Sequence, residues 1–191
     1  PSCSLPRAAL RPPQQREFAP MNSRPASHIY YDECVGNWSC PFSMEITDFS
    51  SLRRGVGLVN ALSLWLMSRW PAWLIQPVFE TSVARDTVAE VVHTTAIRWW
   101  RLPLVRSREV LTLNADGRRL ELCGDSKFLL VPWKVERLVG AGEVNESGTC
   151  AVYQLEFMGA RMQQTAERSS DRVTLTQEMA GYRAVQPLQR R

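Results

Sequence analysis

The stretch Leu111-Thr112-Leu113-Asn114-Ala115-Asp116-Gly117-Arg118-Arg119-Leu120-Glu121-Leu122 decides how the rest of this chain is read. Leucines alternate with polar residues on both sides of Asn-Ala-Asp-Gly, a cluster of residues that tolerate turn dihedrals. Alternation at period two places Leu111 and Leu113 on one face, opposite Leu120 and Leu122. The segment therefore reads as a β-hairpin with one buried face.

Downstream the same pattern recurs. Residues 88–100 are rich in Val, Thr, Ile and Trp, which suit a pleated, half-buried surface. Pro103 marks a corner before a strand over 106–113, and Gly124-Asp125 marks a turn before strands over 128–131 and 133–139. Asn145-Glu146-Ser147-Gly148 leads into a strand over 150–157, followed by strands over 162–168, 173–178 and 182–189.

Upstream, residues 35–45 read as the first strand, bent near Gly36 and Pro41, which both interrupt an ideal ladder. Asp48 and Ser50 then offer N-caps. Leu52, Leu58, Val59, Leu62, Trp65 and Leu66 follow at helical spacing, and Pro71 limits the helix. A second short turn falls over 72–75, making residues 48–75 a helical lid. The expectation is a mainly β protein, an antiparallel up-and-down β-barrel of about nine to ten strands with a helical insertion after the first strand.

The chain has 191 residues, room for one well-buried core, and its 45% apolar and 22% charged composition is ordinary for a globular domain. Residues 1–27 read as a disordered leader, rich in Pro, Arg, Gln and Ser, with Met21 offering a true start inside it. Residues 28–191 are the single barrel domain. The leader carries Arg7, Arg11, Arg16 and Arg24 against Glu17, so most of the net charge of +4 lies there. A near-neutral barrel has no basic footprint for nucleic acid. No Gly-rich βα unit appears, which argues against a nucleotide-binding α/β fold.

Cys3, Cys34, Cys40, Cys123 and Cys150 include no CxxC pair and no nearby His to complete a metal set. They read as small residues in a reduced, cytoplasmic setting. No secretory signal is visible, and the sequons at Asn37 and Asn145 read as chance. The apolar run around the lid is interrupted by Arg69 and Pro71, which argues against a span. Its tryptophans Trp65, Trp70 and Trp73, with Arg53 and Arg54, suit peripheral contact with a membrane surface.

Gly36-x-Trp38 on a first strand, followed by helices and an up-and-down series of strands, resembles the calycins, the lipocalin and fatty-acid-binding-protein superfamily. A helical lid between the first two strands is similar to that of the fatty-acid-binding proteins. The resemblance implies that Trp38 closes the barrel, covered by an arginine late in the last strand, Arg190 or Arg183. It also implies a carboxylate-binding Arg-x-Tyr in the terminal strands. Here only the adjacent Tyr182-Arg183 occurs, and adjacent strand residues face opposite sides. The haem-binding branch uses a late histidine, and none follows His93, so no cofactor is expected.

His93, in Val91-Val92-His93-Thr94-Thr95, is the candidate catalytic base, set against its reading as a satisfied strand histidine. Glu90, Glu109 and Glu121 also sit in strands, and any that points inward should have a raised pKa. Trp99, Trp133, Tyr153 and Gln164 are the candidate ligand-binding residues, set against aromatics as core filling. The expected function is non-enzymatic binding or transport of an apolar or amphipathic small molecule in a barrel cavity. Two alternatives stay open: an isomerase or cyclase acting on a hydrophobic substrate in that cavity, and an interaction or membrane-surface protein using the Trp-rich segment 65–73.

Overall fold

A computed structural model describes residues 34–69, 77–86, 90–114, 117–128, 131–169 and 171–191. The elements are β1 (Gly36–Pro41), β2 (Met44–Ile46), α1 (Phe49–Val56), α2 (Leu58–Ser68), β3 (Val78–Arg85), β4 (Glu90–Trp99), β5 (Leu102–Leu113) and β6 (Arg119–Phe128). They continue as β7 (Val131–Val144), β8 (Cys150–Phe157), β9 (Ala160–Ser169), β10 (Arg172–Met179) and β11 (Tyr182–Arg190). Every pairing is antiparallel. β3 to β11 follow one another in order, and β1 pairs with both β3 and β11, so ten strands close into a barrel. β2 is a short continuation of β1 along β11. Period-two burial is cleanest in β8, β9 and β11, where one face fills the interior and the other meets solvent.

The opening hairpin is formed as its pattern predicts, with Leu111 opposite Leu122 and Leu113 opposite Leu120. The Asn114 side chain accepts from the backbone N–H groups of Arg118 (3.1 Å) and Arg119 (2.8 Å), which gives that asparagine its place in the turn. Two expected turns are absent. Gly124-Asp125 lies inside β6, where Gly124 pairs with Glu109 and Leu138, because both neighbouring strands run past it in register. Pro103 lies inside β5, and the corner sits earlier, at Trp100, whose positive φ of 53° makes the reversal.

The first strand is broken between Pro41 and Met44, and a side chain repairs the break. Gln186 of β11 is 0% exposed; its Nε2 donates to the Ser43 carbonyl (2.6 Å), and its Oε1 accepts from the Ser43 N–H and from Cys40 Sγ (3.4 Å each). The side-chain amide thus substitutes for a missing peptide of the ladder. At the other end of the seam Trp38 stands opposite Arg190, whose guanidinium lies 6.0 Å from the indole centroid. Outside the barrel Glu80 of β3 pairs with Arg98 (2.7 Å) and Arg191 (2.9 Å), tying β4 and the C-terminus across β1.

The expected single helix is two. Asp48 caps α1 by accepting from the Ser50 N–H (2.9 Å), and the chain kinks at Gly57, whose φ of 81° and ψ of 162° suit glycine alone. Gly181, in the β10–β11 turn, anchors the start of α1. Its carbonyl accepts from the N–H groups of Thr47 and Asp48, and a Cβ there would fall 1.9 Å from the Asp48 carbonyl oxygen. The helices therefore cover the end of the barrel that carries the β8–β9 and β10–β11 turns. The expected turn over 72–75 and the residues Trp70, Pro71 and Trp73 lie outside the described residues, as does the leader.

Gln186→Leu should remove the repair of the broken strand and leave the part-buried Ser43 amide and carbonyl without this partner. The expected loss is about 1–3 kcal/mol in urea unfolding, given roughly 0.5–1.5 kcal/mol for each of the two hydrogen bonds. Gln189→Leu, at an exposed position on the same strand, should shift stability by less than about 0.5 kcal/mol.

Candidate functional site

The hairpin end of the barrel is filled by leucines. Leu111, Leu113, Leu120, Leu122 and Val144 are buried there and do not line the cavity at the other end. Toward the helices the side chains part around a cavity of about 120 Å³. Leu64 and Met67 of α2 close it from above, Met44 borders it from β2, and Trp38, Phe79 and Leu155 are among its apolar wall. Leu52 and Val56 of α1 are buried, which holds the lid against the barrel.

Polar groups reach the cavity in three register rows. The first runs Thr81–Thr95–Ser107–Ser126 across β3, β4, β5 and β6, with hydroxyl contacts of 3.2 Å between Thr95 and Thr81 and 2.9 Å between Ser107 and Ser126. The second is Tyr153–Gln164–Gln177 across β8, β9 and β10. Gln164 Nε2 donates to the Tyr153 hydroxyl (2.5 Å), and Gln177 Nε2 donates to Gln164 Oε1 (3.2 Å). The third pairs His93 of β4 with Glu109 of β5, direct partners in the ladder that both line the cavity.

His93 and Glu109 carry the electrostatics of the site. Burial pushes the Glu109 carboxyl up to about 7 and the His93 imidazole down to about 4. Both shifts have one cause, the cost of holding charge away from bulk water. Both residues are half-buried and line the cavity. At neutral pH His93 is uncharged and Glu109 is poised between its two forms. Burial also drives the Cys34 thiol up to about 12 and raises Tyr182, so neither ionises there.

The expected site residues are distributed as follows. Tyr153 and Gln164 line the cavity and hydrogen-bond each other. Trp99 does not line it, and its neighbour Trp100 is 73% exposed at the β4–β5 turn. Trp133 lies on β7, and its side chain is outside the described residues. Trp38 borders the cavity under Arg190 at the seam, and Arg183 instead points outward to Glu178 (3.1 Å). His93 faces the cavity. Of the three strand glutamates, Glu109 is the one turned inward, and the hydroxyl row was missed. Its signal was present in the sequence as Thr or Ser at alternate positions, but small polar residues on strands occupy solvent faces as readily. No group of three His, Cys, Asp or Glu side chains that could hold a metal occurs among the described residues, and Cys34, Cys40 and Cys150 are free thiols.

Proton linkage makes the His93–Glu109 pair measurable. Between pH 4.5 and 6.5, the ordinary values of the two groups, the unfolded chain holds an ionised Glu109 and a protonated His93. The folded chain holds a protonated Glu109 and a neutral His93, so their opposite slopes cancel. Glu109's contribution alone is lost as pH rises toward 7, and His93's alone is lost as pH falls toward 4. Glu109→Gln leaves only the histidine slope. Relative to the unmodified protein it should therefore lose about 2–3 kcal/mol of stability between pH 6.5 and pH 4.5 in urea titrations at matched pH. A difference independent of pH would mean that bulk water reaches Glu109.

The fold is a closed antiparallel barrel with two helices inserted after its first strand. The chain matches no protein-family model and no curated protein. Two solved structures are similar at low identity. One is described as REP1-NXSQ fatty acid transporter, 12% identical, with 83% of this chain and 96% of that chain covered and a TM-score of 0.46. The other is secretory abundant heat soluble protein 4 from Ramazzottius varieornatus, 8% identical, with 82% and 94% covered and a TM-score of 0.42.

Proposed function

We propose that this protein binds an apolar or amphipathic small molecule inside the barrel, beneath the helical lid. The observation that carries the proposal is the lidded cavity of about 120 Å³, walled largely by apolar side chains with a few convergent polar groups. Apolar cavities of this order admit a benzene-sized molecule. A longer ligand would have to displace Met44 and Met67, unbranched side chains that repack at low cost.

Methionine methyl groups report occupancy directly. Hexan-1-ol should shift the methyl signals of Met44, Met67 and Met162, which line the cavity, and leave that of Met179, which does not. Ala166 is buried on the cavity wall. Ala166→Phe should fill the space and abolish those shifts, at an overpacking cost of about 1–3 kcal/mol. Unchanged methyl signals at saturating hexan-1-ol would remove the proposal.

A second reading, peripheral contact with an anionic membrane, is favoured by the outer face of α2. Val59 is 71% and Leu66 60% exposed, with Leu58, Leu62 and Trp65 exposed beside them. Arg53, Arg54 and Arg69 are exposed at the ends of this run, and Arg69 lies 5.7 Å from the Trp65 ring centroid. Exposed Trp100 belongs to the same end of the barrel, since successive turns of an up-and-down sheet alternate ends. Apolar side chains ringed by arginine match an anionic interface. The protein should co-sediment with phosphatidylglycerol-containing vesicles, and Val59→Glu with Leu66→Glu should cut the bound fraction at least tenfold. Equal sedimentation of the two proteins would reject this reading.

A further inference from the structure

The polar side chains of the cavity are unbalanced in a way that selects a ligand head group. Glu109 is the one described lining residue with an acidic carboxyl, and no Lys or Arg lines the cavity among the described residues. Ser107 lies two residues before Glu109 on β5 and so shares its face, and Ser126 stands opposite Ser107 on β6. Gly124, the partner of Glu109 on β6, contributes no side chain on that flank. On the other flank His93 is the partner from β4. A hydroxyl has one donor and two acceptor lone pairs, a neutral imidazole keeps one acceptor nitrogen, and a carboxylate only accepts. This corner of the cavity is therefore rich in acceptors.

We propose that the cavity takes an apolar ligand ending in a protonated primary amine, with Glu109 as its counter-ion and His93 and the Ser107–Ser126 hydroxyls as further acceptors. The proposal rests on the ligand-binding reading above and names its ligand class. An ammonium head has three donors and no acceptor, the complement of this corner. A carboxylate ligand would instead set a second negative charge beside Glu109 in a low-dielectric space, where two like charges do not both ionise.

The pH dependence follows from the groups that face Glu109. His93 from β4 stays neutral above pH 6, and β6 offers only Gly124 and Ser126. The other titratable side chains on the cavity wall are Cys34, Tyr153 and Tyr182, and the lid adds Leu64 and Met67. Glu109 is thus the group that changes charge between pH 6 and 8 in this cavity. An aliphatic ammonium stays charged throughout that range.

The test is calorimetric or methyl-NMR titration with hexylamine, hexan-1-ol and hexanoate at pH 6 and pH 8. Hexylamine should bind at least tenfold more tightly than hexanoate at pH 8, and its affinity should fall roughly tenfold at pH 6 as Glu109 takes up its proton. Hexan-1-ol should change little between the two pH values. Glu109→Gln should abolish the pH dependence and the amine preference while leaving hexan-1-ol bound. If that variant does not fold, the pH series on the unmodified protein decides alone. Hexanoate binding as tightly as hexylamine at pH 8, or an amine preference that survives Glu109→Gln, overturns the proposal and leaves the cavity reading intact. No binding of any of the three overturns both.

Discussion

Closure of the barrel depends on one buried amide. An up-and-down sheet closes only when its first strand meets its last along enough length to satisfy both edges, and here the first strand is interrupted. β1 contributes two register pairs to β11 and β2 contributes three, with a gap between them. The Gln186 side chain fills the gap and pairs with both polar groups of Ser43. Without it, one break would leave unpaired peptide groups at the point where the sheet has to seal. The seam is reinforced by Arg190 over Trp38 inside and by the Glu80 ion pairs outside, and the latter are exposed enough to be worth little on their own.

The same interruption opens the route to function. A strand that stops at Pro41 and resumes at Met44 lets the chain leave the sheet into α1 and α2 immediately afterwards, while the anchor at Gly181 keeps those helices over the barrel end. Leu64 and Met67 then close a space that the strands leave unfilled, and Met44 reaches it from the resumed strand. The hairpin end is packed with leucines and the lid end holds the void, so the barrel is core at one end and container at the other. The His93–Glu109 pair sits in the container, where burial shifts the two groups in opposite directions and their contributions to the pH dependence of stability offset one another between pH 4.5 and 6.5.

Much of the architecture was legible because it is local. Period-two patterns in β8, β9 and β11, the hairpin pairing of β5 with β6 and the Asp48 cap each depend on neighbours a few residues apart, and each is formed as read. The misread turns share a cause. Gly124 and Pro103 carry turn-forming residue types, yet ladders on both flanks hold Gly124 in extended backbone and pairing with Arg98 of β4 holds Pro103, so the pairing strands overrode local preference. The helix break at Gly57 went unread because a glycine inside an apolar helical run is tolerated in many helices, and only its φ of 81° separates the two.

The sequence by itself determined that the chain would make an antiparallel barrel with helices after its first strand, because alternation and turn chemistry act over a few residues. The strands carrying Tyr153 and Gln164 were legible the same way, but not the face those side chains take. The tertiary structure alone decided which of Glu90, Glu109 and Glu121 turns inward, that His93 is its partner, and that Gln186 seals the seam. The His93–Glu109 pairing and the Gln186 seal depend on register between residues 16 to 146 positions apart. A one-residue slip in any ladder would reverse the face of every side chain on that strand.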